Sequence, residues 1–312
     1  MLLRVLILLL SIFEFSFGVS SGAIEVNRLR AKAGMVRLKY NSILAKSAHN
    51  HAKYLARLRL ASHFENPKYP YFTGKTPFDR MAKAGYPSRV GVENISFAER
   101  SYKKSVEVLF STIYHRLAFL DFRIDSIGTS AYGNIKGRVY VYEMSSSEVA
   151  KLCQHPNRGK KSGRVMVGVC SKRGVKIYQS QMQRSLLAVE KRNRRVVLFP
   201  YPNARNIPRA FVNETPNPFR GRVKRGFPVT VELNPARYRT ARLKRFRIFG
   251  SKKEPLKAKI ITAKSDIRGK LSPLTFVLVP NRVLKPNSKY SVEFIASTNR
   301  GEVRRSWSFR TK

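Results

Sequence analysis

Beyond residue 216 the chain runs as six short segments rich in β-branched and aromatic residues, broken by Pro, Gly and Asn, whereas before residue 120 its apolar residues recur mostly at helical spacing. One period cannot serve both halves, so the chain must build two units of different architecture. A length of 312 residues with 43% apolar composition is enough to bury a core in each.

In the first half, Leu44, Ala48, Ala52, Leu55 and Leu58 predict a helix over Asn41 to Leu60, capped by Asn41 or Ser42. A second, short helix is marked by Thr76 as cap, Pro77 at the first helical position and Gly85 just past the end. Tyr102, Val106, Leu109, Phe110, Ile113 and Leu117 predict a third. Strand patterns follow at Ile127 to Ala131 and Val139 to Tyr142, an order answered by an α+β unit with helices packed on an antiparallel sheet. From Lys151, Gly-, Lys- and Arg-rich turns separate strands at Arg164 to Cys170 and Val175 to Tyr178, the pattern of a hairpin extension. Val196 to Phe199 then leads into a linker punctuated by Pro200, Pro202 and Pro208. The six late segments, Pro228 to Leu233, Leu243 to Phe249, Lys257 to Thr262, Leu274 to Val279, Tyr290 to Ala296 and Arg304 to Arg310, predict a small β-sandwich.

Met1 to Arg4, the apolar run through Phe13 and the small residues from Gly18 to Ala23 have the form of a cleaved signal peptide over residues 1–22. Glu14 stops the run short of the roughly 20 apolar residues a membrane span needs, and no later stretch qualifies. Export would place the two cysteines where thiols oxidise, so Cys153 and Cys170 are expected to bond; free thiols are the alternative. Lys and Arg number 62 against 18 Asp and Glu, a net charge of +44. The excess grows along the chain, from 21 basic and 10 acidic in residues 23–150 to 27 and 6 in residues 196–312. Such a field attracts anionic polymers or lipid headgroups, or simply keeps an exported protein soluble.

Asn27 to Arg30, Leu38 to Asn41, Ala48 to Ala52, Ser62-His63, Asp79-Arg80, Gly85-Tyr86, Glu93-Asn94-Ile95, His115-Arg116 and Ile127-Gly128 form an ordered set. Residues 24 to 145 thereby resemble the CAP superfamily of cysteine-rich secretory, antigen 5 and pathogenesis-related proteins, in its bacterial SCP-like branch. Leu284 to Val292 and Ser306 to Thr311 resemble bacterial immunoglobulin-like modules. The implied organisation is a signal peptide (1–22), an α-β-α sandwich of the CAP fold (23–150), a disulfide-closed extension and linker (151–199), and an immunoglobulin-like β-sandwich (200–312).

The CAP resemblance implies a groove of two His and two acids, where some members hold a divalent metal. By motif position His63 and Glu93 carry over, with His115 as the second imidazole. Val92 replaces the usual Gly, and the site that often bears the second acid falls near Thr112. His63, His115 and Glu93 would suit Zn or another divalent metal, with an open fourth position for water. The same residues are also able to hydrogen-bond one another and simply hold helices together. Glu65 reads either as a replacement acid or orienting partner or as an exposed loop residue. Arg116 should bond Asp79, Asp121 or backbone carbonyls, and His51 falls on a helix face as a core or rim histidine.

Ser101-Tyr102-Lys103-Lys104 matches S-x-x-K but lacks its KTG companion, and no G-x-S-x-G, P-loop, G-x-G-x-x-G or H-E-x-x-H occurs. Nucleotide enzymes and ordinary serine hydrolases are disfavoured. Tyr238 to Arg247 interleaves aromatic and basic residues, but strict alternation puts Leu243, Arg245 and Arg247 on one side and Arg242, Lys244 and Phe246 on the other. That favours a charged edge strand over a nucleic-acid stacking surface. The expectation is an exported binding protein, periplasmic or secreted. Its ligand or metal groove would comprise His63, Glu93, His115, Arg116 and Glu65. Its basic surface would meet anionic envelope polymers or lipids, and its β-module could engage a protein. The alternative is a metal-dependent hydrolase acting on peptide or cell wall.

Overall fold

Residues 20–312 are described by the structure, a computed structural model. The expected leader lies outside them except for its last three residues, which are the cap and first turn of α1 (Ser21–Ala33). The Ser20 hydroxyl accepts from the Gly22 amide and bonds the Thr129 hydroxyl, tying this helix to the sheet.

Two predicted helices form with their predicted N-terminal caps, the first ending at Leu58, two residues before the expected Leu60. Asn41 caps α2 (Ser42–Leu58), and Thr76 with Asp79 makes a capping box on α3 (Pro77–Ala84), which Gly85 closes at φ 104°. The third is interrupted. Ser111 and Thr112 turn their hydroxyls onto the Glu107 and Leu109 carbonyls, and the helix divides into α4 (Tyr102–Phe110) and α5 (Tyr114–Phe119). Beside these helices lie β1 (Lys39–Tyr40), β2 (Gly91–Phe97), β3 (Ser126–Tyr132) and β4 (Val139–Ser145), in the sheet order β1-β3-β4-β2. Only the β1–β3 pairing is parallel. Because side chains alternate along a strand, Val139 and Val141 of β4 pack under Ala48, Ala52 and Leu55 of α2. Tyr140, Tyr142 and Met144 face the other way, joining Val26, Leu109 and Phe119 from α1, α4 and α5. Three layers result, and Glu143 is directed to the α2 side.

The extension is more helical than its composition predicts. Ser146 caps α6 (Ser147–Gln154), and the hairpin shrinks to β5 (Val165–Met166) and β6 (Ile177–Tyr178), followed by α7 (Gln179–Glu190). Val149, Leu152, Val169 and Ile177 make a small core around the Cys153–Cys170 disulfide.

All six predicted late strands form: β9 (Val229–Leu233), β10 (Ala241–Phe249), β11 (Ala258–Thr262), β12 (Thr275–Pro280), β13 (Lys289–Thr298) and β14 (Gly301–Thr311). Two more precede them, β7 (Val196–Phe199) at the end of the range read as extension and linker and β8 (Ala204–Ile207) among the prolines of the range read as sandwich, so the sheets take in residues from 196 onward. Its sheets run β10-β13-β14-β8 and β11-β12-β9-β7. They face each other through Phe276 and Phe294, whose rings are 5.3 Å apart. As its charge suggests, β10 is an edge strand. Its register slips between Leu243 and Arg245, and this one-residue bulge puts the partly buried Leu243 back in step with buried Phe246 and Ile248. Strict alternation hid that apolar face.

The units share one core. Tyr142 of the first sheet touches Phe119, Phe119 stacks on Phe110, and Phe110 meets Phe199 of β7, with centroid distances of 5.2, 5.3 and 5.0 Å. Phe199 continues to Phe227 beside β9.

Candidate functional site

On the α2 side of the first sheet, four elements deliver ionisable groups to one place. The α2 helix brings His51, the loop after it His63 and Glu65, α3 Arg80, and the paired strands β2 and β4 bring Glu93 opposite Glu143. His51, Glu65, Arg80 and Glu143 are buried; only His63 reaches solvent, its side chain 39% exposed. His63 Nδ1 lies 2.7 Å from Glu93 Oε1, and Arg80 Nη2 donates to Glu93 Oε2 at 2.6 Å. Arg80 Nε stands 3.8 Å from Glu65 and 3.9 Å from Glu143. His51 Nδ1 is 2.9 Å from Glu65 and its Nε2 3.1 Å from the Ser62 carbonyl, so both ring nitrogens face oxygen acceptors.

Burial pushes the Glu93 carboxyl up, but Arg80, His51 and His63 together outweigh it and hold it down to about 2. For Glu143 the balance reverses, because burial and the neighbouring Glu93 charge raise it well above the usual carboxylate range. Arg80 thus stands among all three carboxylates, bonded to Glu93 and close to Glu65 and Glu143. Glu65 is therefore no exposed loop residue. It is 3% exposed and accepts from the Thr73 and Gly74 amides, which fold the loop around it.

The donor set does not fit a divalent cation. A guanidinium already stands among the three carboxylates, and no group of three or more His, Cys, Asp or Glu among the described residues is arranged to hold a metal. The expected set of His63, His115 and Glu93 is not assembled. Glu93 points to the α2 side, whereas its strand neighbour Asn94 donates to the His115 carbonyl. The His115 imidazole is turned to Glu214, with Nδ1 2.8 Å from Oε2. That carboxylate, reaching in from the loop before β9, also accepts from the amides of Ile113, Tyr114 and His115.

Arg116 is buried and belongs to the same seam. Its Nε donates to the Phe110 carbonyl and its Nη1 to Pro228, while the guanidinium lies 4.9 Å from the Phe199 ring and 4.6 Å from that of Phe227. Of the partners expected for it, the backbone carbonyls apply; Asp79 and Asp121 pair with Arg89 and Arg123. Burial lowers the guanidinium to about 9, opposed by the charges of Glu214 and Glu232, so it stays cationic at neutral pH. The His-Arg segment is thus the seat of the second unit.

A family model described as CAP, the cysteine-rich secretory protein family, matches residues 24–144. Residues 24–144 belong to the CAP family. The extension and the β-sandwich lie outside the matched region. No curated protein matches the chain. Among solved structures, an outer surface protein of Borrelia burgdorferi is 20% identical, over 39% of this chain and 86% of that one, with a TM-score of 0.35. An extracellular protein containing a SCP domain from Bacillus anthracis is 18% identical over 38% of this chain and only 37% of its own, with a TM-score of 0.34. CopC from Methylosinus trichosporium is 13% identical over 37% and 88% of the two chains, with a TM-score of 0.23.

The sequence reading assigned no role to Arg80, Glu143 or Glu214. One signal was available: Glu143 interrupts the apolar strand Val139-Tyr140-Val141-Tyr142, and a carboxylate there needs a buried partner. Glu214 offered none, because its partners lie about a hundred residues away.

Proposed function

We propose that the chain is an exported CAP-domain binding protein, periplasmic or secreted, which meets its ligand through the exposed His63 edge of the acid cluster. The observation that carries this reading is Arg80 inside that cluster. It supplies the positive charge that a catalytic metal would bring, and it keeps Glu93 ionised far below neutral pH, where a carboxylate is a weak general base. Glu93 in turn accepts from His63 Nδ1, which leaves Nε2 as an oriented hydrogen-bonding atom facing solvent. Export accords with the disulfide and with the leader-like first residues, provided cleavage spares the Ser20 cap. The strongly basic second half is suited to anionic envelope polymers or lipids by long-range attraction.

The test combines two measurements on the full chain. Retention on an immobilised polyanion should fall steeply as salt rises and should survive His63→Ala. Equilibrium dialysis against zinc should leave less than one zinc per chain. Stoichiometric zinc that is lost in both His63→Ala and His115→Ala, together with loss of peptide or cell-wall hydrolysis, would overturn the binding reading in favour of a metal-dependent hydrolase.

A further inference from the structure

The seam between the two units holds a cavity of about 730 Å³, open to solvent on one side and of a size typical of small-molecule sites. Much of its wall is apolar, with Leu117 and Phe122 from the CAP side and Leu233, Leu271 and Leu274 from the sandwich. Three acids also line it: Asp121, which pairs with Arg123, and the buried Glu190 at the end of α7 and Glu232 in β9, 9% and 7% exposed. Glu232 Oε1 is buried without a hydrogen-bond partner. Neither of the two buried carboxylates has a cation within salt-bridge distance among the described residues, in a chain where basic residues outnumber acidic ones more than threefold. The guanidiniums nearby, Arg30 and Arg116 for Glu232 and Arg123 for Glu190, act on these carboxylates without contacting them.

The surrounding charges narrow the ligand. Asp121 is engaged by Arg123, while Arg123, Arg239 and Lys270 are exposed at the rim. Arg30 and Arg116, whose charges act on Glu232, are held by backbone carbonyls through Nε and Nη1, and the Nη2 of each is without a hydrogen-bond partner. Burial nevertheless prevails and raises both Glu190 and Glu232. An isolated carboxylate in an apolar hollow is costly unless a donor-rich cation covers it. The hollow has room for such a group and for hydrocarbon behind it, whereas the basic rim repels polycations.

We propose that this interdomain cavity binds an organic monoammonium ligand, its –NH₃⁺ directed to Glu190 and Glu232 and its hydrocarbon body against Leu117, Phe122 and Leu271. The site is separate from the His63 cluster and does not depend on its reading.

Isothermal titration calorimetry on the full chain, with hexylammonium, 1-hexanol and hexanoate as probes, tests it. Hexylammonium should bind saturably at one site per chain, at least about tenfold tighter than either other probe. Glu232→Gln and Glu190→Gln should each weaken it by about tenfold, as loss of a charged hydrogen bond implies. Ala118→Trp, which adds bulk to the cavity from its α5 wall and leaves both acids in the sequence, should abolish binding while leaving the melting temperature near the parent's. This variant decides the matter if Glu232→Gln fails to fold. Absence of saturable hexylammonium binding, equal binding of the three probes, or binding unchanged in the folded Ala118→Trp chain would overturn the proposal.

Discussion

Glu214→Ala is the perturbation that most directly tests how the two units are joined. The parent carboxylate is 7% exposed and accepts from three amides at the start of α5 and from the His115 ring. Hydrogen bonds to a charged group are worth about 1.5–3 kcal/mol each, but those sharing one carboxylate do not add. Water reaches this spot poorly, since the His115 side chain is 15% exposed. Three orphaned amides together with the lost hydrogen bond to the His115 ring put the cost at about 3–5 kcal/mol. With a urea dependence of about 3 kcal/mol/M, the unfolding midpoint should drop by at least about 1 M. The single tryptophan, Trp307 in β14, reports on the sandwich, and far-UV circular dichroism reports on the helices of the CAP unit. Both curves should coincide in the parent and separate in the variant. A midpoint shift below about 0.3 M, with the curves still superimposed, would refute the assignment of Glu214 as the clamp.

Arg80→Met should cost about 3–5 kcal/mol, because it leaves Glu93 buried and ionised without its guanidinium; chemical denaturation at neutral pH measures it. Glu143→Gln should be tolerated, since an amide imitates the protonated acid. The raised Glu143 makes the parent lose stability as pH climbs above the ordinary value near 4.5, and the variant's stability curve should lack that decline. The depressed Glu93 acts in the opposite window: its contribution is complete above about pH 4.5 and is lost as pH falls toward about 2, so urea midpoints should drop over that range and drop less in Glu93→Gln. Cys153→Ser should cost about 3 kcal/mol, as expected for a loop of this length, and lower the melting temperature by several degrees.

Local chemistry was legible in the sequence wherever it was decided locally. Thr76, Pro77 and Gly85 announce α3 because capping and left-handed closure involve only neighbours. The late strands announce themselves through turn residues and β-branched runs. What failed were decisions made elsewhere in the chain. Nothing in Tyr102 to Leu117 reports that Ser111 and Thr112 will bond backwards and free α5 to meet a carboxylate a hundred residues on. The Lys244 bulge is invisible to a strict period of two, because it is fixed by pairing with β13. The motif sets His63 and Glu93 together, and their side chains touch. His115 was misplaced because the motif carries no record of the second unit, whose Glu214 claims its ring.

The ladder of aromatic rings through Phe119, Phe110, Phe199 and Phe227 has a practical corollary for anyone wishing to study the groove in isolation. A truncated protein stopping at residue 144 would carry the whole His63 cluster yet bare the underside of α4 and α5, with Arg116 stripped of both rings it lies against. Such a fragment should self-associate, and its behaviour would describe that raw face rather than the cluster.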